Sequence, residues 1–451
     1  MMSTELAVAT AARNTCKLCA PLGACLAFRG VERTVPLLHG SQGCATYIRR
    51  YMISHFKEPI DIASSNFDEQ AAVYGGEANL RLALENVIRQ YRPEMVGVAT
   101  TCLSETIGDD VRAHLRAVGR ELGADGPALV HVATPSYAGT HTEGYQAAVK
   151  SIVETLAAPA EKHDRVNLIV GAVSPADLRL LKRMFRDLGL TATLLPDYSE
   201  TLAAPAWSEY QILPAGGTSL REIREMSGAR ATIELGLGYH RERSAGQFLE
   251  EQFGVPSYRL PFPIGIQQSD WLWEVLAALA NRPTPAEYVA ARGRLIDAYV
   301  DNHKYVFGRR AVLYGEPEFV LAMAVFLTEI GMVPVVCATG SVDPQLRQRL
   351  VPVLGKAHTQ VTTLVGTDFV NLRAAAEQAN AEIVIGSSKG YTLARDLKIP
   401  LVRVGFPIHD RVDGPRMLHL DYEGSQQLFD RLTNALLGAA QDESPIGYAY
   451  M

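Results

Sequence analysis

The stretch "EMVGVATTCLSETIGDDVRAHLRAVGREL", Glu94 to Leu122, decides the fold class. It opens as a short apolar run rich in Val and Thr, the composition of a buried strand. From Asp109 onward the apolar positions recur at helical spacing. Between the two lies "CLSETIG", which reads as a turn. A strand that runs through a turn into an amphipathic helix is the unit of a parallel α/β sheet.

The same unit recurs along the chain. "PALVHVATPS" is followed by "GYQAAVKSIVETLA". After a polar break, "AAPAEKHDR", the pattern restarts with "VNLIVGAV", "SPADLRLLKRMFRDLG" and "TATLLPD". There Ser174 is the expected N-cap, with Pro175 at the first helical position and Asp177 at the third. A third series begins at "RRAVLYGEPEFVLAMAVFLTEIG" and continues through "VPVVCATG", "EIVIGSSKGYTLARDL" and "PLVRVGFP". The reading is α/β, with three Rossmann-like (flavodoxin-like) domains built on parallel sheets. The expected spans are 1–160, 161–304 and 305–451, the second ending in a linking helix within "ALANRPTPAEYVAARGRLIDAYVDNHKYVFG". No G-x-G-x-x-G follows a first strand, so a bound dinucleotide is not supported. The recurrence is one of pattern and not of sequence, so it marks architecture and not a repeat array.

Composition narrows the function. The chain has 451 residues, 47% hydrophobic and 20% charged, with a formal net charge of −6. No Lys/Arg cluster tracks a phosphate backbone, which argues against nucleic acid as a partner. No segment approaches the roughly 18 apolar residues of a membrane span, and "MMSTELAVATAARNTCK" lacks the basic start and apolar run of a secretory signal. The expectation is a cytoplasmic protein that engages no membrane.

Six cysteines in so long a chain argue against a disulfide framework and for metal ligation, redox chemistry or burial. Cys19, Cys44 and Cys102 stand beside glycines in stretches that read as turns. Gly23 follows Cys19, Gly40 and Gly43 precede Cys44, and Gly108 follows Cys102. Thiolates hold iron–sulfur clusters, and hydrogen bonds to the sulfurs tune them. Glycine lets the backbone approach a ligand, and a strand-to-helix turn offers free amides to an anion. Cluster ligation is one reading of the three; burial as small hydrophobes is the other. Cys25 in "GACLAF" and Cys337 in "VPVVCATG" read as buried. Cys16 and Cys19 form a C-x-x-C, open to a redox pair or half a zinc site, but no second such pair follows.

At these residues the sequence resembles the β-type subunit of nitrogenase component 1. "CAPLGA", "PLLHGSQGCATYIRR", "SHFKEP", "AAVYGG" and "TTCLSETIGDD" carry the resemblance, with "TPSYAG", "PIGI", "SSKG" and "RVGFPIHDR" further on. It implies an oxidoreductase, an α-type partner subunit and an α2β2 assembly. It also implies an eight-iron, seven-sulfur (8Fe-7S) P-cluster shared between the two chains, held here by Cys19, Cys44 and Cys102. Ser136 matches a serine that adds an oxygen ligand to the oxidised cluster; a turn or cap serine is the alternative. Tyr74 matches a residue at the docking face for an ATP-dependent iron protein, a homodimer with a 4Fe-4S cluster; a core aromatic is the alternative. Gly43 and His39 fall where they would support the ligands from behind, with a satisfied structural histidine as the other reading of His39. Arg49 and Arg50 would offset cluster charge, meet carboxylates at a subunit contact, or face solvent. His409 reads as structural, with a role at the partner interface as the alternative.

The family's catalytic iron–sulfur cofactor is held by the α-type chain, so no substrate site is expected here and the expected role is electron relay. Three members of the family compete. The short N-terminus, the scaffold-like motifs and the full three-cysteine set resemble the β subunit of a methylthio-alkane reductase, which reduces C–S bonds of small thioethers and releases methanethiol. The alternatives are the N-type subunit of the cofactor-assembly scaffold and the β subunit of a nitrogenase proper. Outside the family, a cluster-free α/β protein that binds a small molecule stays open, because fold does not fix function.

Overall fold

A computed structural model describes residues 16–236, 244–343, 345–355 and 361–447. Most of the N-terminal stretch read for a signal lies outside the described residues. Among the described residues the apolar runs form thirteen strands in three sheets, and every strand pair is parallel. The first sheet holds β1 (Thr34–His39), β2 (Ala63–Ser64), β3 (Met95–Thr100) and β4 (Ala128–Val132), in the order β2-β1-β3-β4. The second holds β5 (Val166–Val170), β6 (Ala192–Leu195), β7 (Ala231–Leu235) and β8 (Ser257–Leu260), in the order β6-β5-β7-β8. The third holds β9 (Arg310–Gly315), β10 (Val333–Thr339), β11 (Thr362–Leu364), β12 (Ile383–Gly386) and β13 (Leu401–Arg403), in the order β11-β10-β9-β12-β13.

The first two orders are flavodoxin-like and the third is the start of a Rossmann order. In each sheet the chain reverses its direction of travel beside the first strand, and the strand ends there open a crevice. In the first sheet that point lies between β1 and β3, where His39 is in register with Thr100. Both strands are buried along their whole length, as continuous apolar runs in a parallel sheet should be.

The helices that flank the first sheet are α1 (Ala20–Arg29), α2 (Gln42–Phe56), α3 (Glu69–Tyr74), α4 (Glu77–Tyr91), α5 (Cys102–Thr106), α6 (Val111–Leu122) and α7 (His141–Leu156). The structure corrects the sequence reading of the segment around Cys19 and Cys44. It is not a run of turns but a helix, a central strand and a second helix. α1 is buried throughout and packs on α7. A Cβ on Gly23 would sit 1.7 Å from the His141 carbonyl oxygen, and one on Gly144 would sit 2.0 Å from that of Ala20. Gly23 therefore serves helix contact and not approach to a ligand. Pro36 disguised β1, since proline is rare in central strands. It is tolerated because β2 pairs only with Leu37 and Leu38, so Pro36 lies beyond the end of that ladder.

The next helix, α8 (Pro175–Asp187), starts as the sequence predicts, with Ser174 and Asp177 forming a reciprocal capping box. Asp177 also binds His419, Nδ1 to Oδ2 at 3.0 Å, which ties the start of the C-terminal helix Asp421–Glu443 to the second sheet. The linking helix spans Ala286–Val306 and packs on that same C-terminal helix. No helix among the described residues is long and apolar enough to cross a membrane.

Candidate functional site

Cys44 and Cys102 follow the two strands that border the first crevice. Cys44 is the third residue of α2, and the Ser41 side chain caps that helix by accepting from the Gly43 amide at 3.4 Å. Cys102 is the first residue of α5, two positions after β3 ends. Cys19 caps α1 from outside and pairs with Thr140 in an isolated bridge. All three thiols are exposed, which sets aside burial as their reason for being there. Burial of its surroundings pushes the Cys44 thiol up, and Cys19 and Cys102 push it the same way, so the three share one electrostatic neighbourhood.

Ser136 joins two of them. Its amide donates to the Cys102 sulfur at 3.2 Å, and its Oγ accepts from the Ala20 amide at 3.1 Å. Beside Cys44 the space is open: a Cβ on Gly43 would meet only the Ser41 hydroxyl, at 3.7 Å. Large apolar side chains rim the thiols. Tyr47 is 59% exposed, Tyr137 is 66% exposed, and Leu103 also faces outward. Exposed thiols inside an exposed apolar rim mark a surface made for contact. Among the described residues no three His, Cys, Asp or Glu side chains converge as ligands of one ion.

The crevice floor is a closed polar network. His39 is fully buried, with Nε2 2.8 Å from Asp109 Oδ2 and Nδ1 3.0 Å from Ser65 Oγ. Asp109 also accepts from His114 at 2.9 Å and from the Gly76 amide at 2.9 Å. Burial lowers the His39 proton affinity, and because the Asp109 carboxylate can only accept, Nε2 is the donor to it. For Asp109, burial acts upward, but the hydrogen bonds from His39, His114 and Gly76 outweigh it and hold the carboxyl below its usual value. The His39 carbonyl accepts from Thr101 and from Ser104 Oγ, so this histidine fixes the turn that carries Cys102.

The third sheet holds the segment that carries Cys19. Lys389 Nζ donates to the Lys17 carbonyl at 3.0 Å. His141 takes the Leu18 amide on Nδ1 at 3.4 Å and donates from Nε2 to Glu316 at 2.8 Å. The Cys16 amide bonds to the Thr367 carbonyl, and burial pushes its thiol up to about 12. Cys16 faces the third sheet while Cys19 is exposed, and neither is in a disulfide.

The remaining residues separate cleanly. Cys25 and Cys337 are fully buried and unpaired. Tyr74 is 87% exposed at the end of α3, which removes the core-aromatic reading. Arg49 lies 3.6 Å from Asp61 of its own chain, and Arg50 faces outward. His409 is exposed and held by its amide, which donates to Ser388 Oγ at 3.2 Å. Sequence reasoning missed Asp109, Ser65, Lys389 and the rim formed by Tyr47, Leu103 and Tyr137. Asp109 and Lys389 lay inside stretches already singled out, "TIGDD" and "SSKG", but their partners come from distant segments.

A profile described as "Nitrogenase component 1 type Oxidoreductase" matches residues 19–437. The chain belongs to this family. It is similar to the nitrogenase molybdenum–iron protein beta chain of Methanothermobacter thermautotrophicus, 35% identical over 435 residues that cover 94% of each chain. It is 34% identical to the nitrogenase vanadium–iron protein beta chain of Trichormus variabilis, over 93% of this chain and 92% of that one. Among solved structures, a chain of "Nitrogenase Cp1 at pH 6.5" superposes with a TM-score of 0.94 at 32% identity, covering 100% of this chain and 99% of that one. This component 1 chain is therefore of the β type, and its family is one of oxidoreductases.

Proposed function

We propose that this chain is the β-type half of an α2β2 component 1 assembly and holds its share of a bridging iron–sulfur cluster. Cys19, Cys44 and Cys102 are its thiolate ligands, and Ser136 is the adjoining oxygen donor. The observation that carries the reading is the placement of three exposed thiols at one crevice inside an apolar rim. The donor set fits: soft sulfurs, an amide hydrogen bond to one of them, and open space beside Cys44. Bound there as an 8Fe-7S P-cluster shared with the α-type subunit, the group would supply single-electron storage and relay. This chain's own residues do the positioning. The Ser136 amide donates to the Cys102 sulfur, and the His39 network fixes its turn. Tyr74 and the neighbouring exposed Val73 offer a contact for the ATP-dependent iron protein. The catalytic iron–sulfur cofactor belongs to the partner chain.

For the substrate, we propose reduction of a small thioether with release of methanethiol, the reading made from the scaffold-like motifs and the full three-cysteine set. Dinitrogen reduction is the second reading, and full-length similarity to nitrogenase beta chains supports it equally. Purification of the paired subunits without oxygen tests both levels. Half of a shared eight-iron cluster predicts about four irons per chain beyond the cofactor, and absence of iron refutes the site. With iron protein and ATP, methanethiol from ethyl methyl sulfide supports the first substrate, whereas ammonia from dinitrogen replaces it with the second.

A further inference from the structure

A second polar concavity lies on the first sheet, away from the thiols. A cavity of about 500 Å3 opens between α6 and α7, over the edge strand β4. Arg112 and Arg116 project from α6 one turn apart, and Ser151 and Thr155 face them from α7 one turn apart. Between them stands His131 of β4. None of these five side chains has a hydrogen-bond or ion-pair partner among the described residues. Both ring nitrogens of His131 are buried and unpaired, a costly state. Burial, with Arg112 beside it, pushes that imidazole down to about 4, so it is neutral near pH 7. The single carboxylate in the lining, Glu154, is paired with Lys150 at 3.5 Å. The remaining wall is apolar, with Leu115 and Leu129. The set is thus almost wholly donors around a space of small-molecule size.

We propose that this concavity binds a phosphoryl group carried on a small organic molecule. Arg112 and Arg116 take the anionic oxygens, the geometry arginine serves best. Ser151 and Thr155 supply the remaining donors, and Leu115 and Leu129 receive the organic body. The site is distinct from the thiol face and takes no part in electron relay.

Calorimetry on the purified assembly tests this with three probes: phenyl phosphate, inorganic phosphate and phenol. Phenyl phosphate is expected to bind more tightly than inorganic phosphate, and phenol not at all. Arg112→Ala with Arg116→Ala is expected to weaken binding about tenfold or more. Both arginines are exposed, so this variant keeps its fold. Failure of both phosphates to bind up to about 10 mM overturns the proposal. So does unchanged affinity in the arginine variant, and equal affinity for the two phosphates overturns the organic part of the ligand.

Discussion

At the ends of β1 and β3 the chain turns outward and leaves Cys44 and Cys102 exposed. At the corresponding ends of β9 and β12 it places Glu316 and Lys389, and both are spent inside the molecule. They brace the segment that ends in Cys19. Two parallel sheets thus present the same crevice, one with its thiols exposed and one with polar groups engaged. Topology sets where a site can be, and the side chains at the strand ends set what it does. The third sheet has a thiol of its own, Cys337, but it sits in the middle of β10 beside Leu313 and Thr363. Burial pushes that thiol up to about 12, which makes it inert near neutral pH.

The contrast breaks most visibly if the exposed thiols prove dispensable. Cys44→Ala or Cys102→Ala is expected to remove most of the cluster iron and abolish electron transfer, read by iron content and low-temperature EPR. Next in size, Tyr74→Ala is expected to slow turnover about tenfold at limiting iron protein, as loss of an aromatic contact does. Its iron content and melting temperature should not change, because the ring touches solvent and not core.

The crevice floor gives a stability test. Asp109→Asn weakens the charged hydrogen bonds to His39 and His114 and is expected to cost about 1–3 kcal/mol, measured by denaturant unfolding. The sign with pH follows from the direction of the shift. Asp109 is held below its unfolded value of 3.8, so its contribution is complete above that pH. It is lost as pH falls through the depressed folded value, and the gap between wild type and variant should close on acidification. The smallest effect belongs to the third sheet. Cys337→Ala should cost about 1 kcal/mol, as a small core deletion, and leave the EPR spectrum alone. A lost cluster signal there would erase the contrast between the two sheets.

Much of the fold was legible because parallel strands buried on both faces leave long apolar runs such as "VNLIVGAV" and "VPVVCATG". The capping box at Ser174 and Asp177 was legible because it is local. β1 was not, because Pro36 argues against a central strand and the short reach of β2 cannot be seen in sequence. In sequence Gly23 reads as approach to a ligand, and only the packing of α1 on α7 shows what it spares. The thiols were visible as residue types. Their exposure and the link through Ser136 depend on segments more than thirty residues apart, so no local pattern carries them.

The most direct measurement is anomalous difference density at the iron edge from crystals of the assembled complex. The account predicts iron bonded to the sulfurs of Cys19, Cys44 and Cys102 at the boundary with the partner chain. Sulfurs free of iron there, with the partner chain in place, would contradict it.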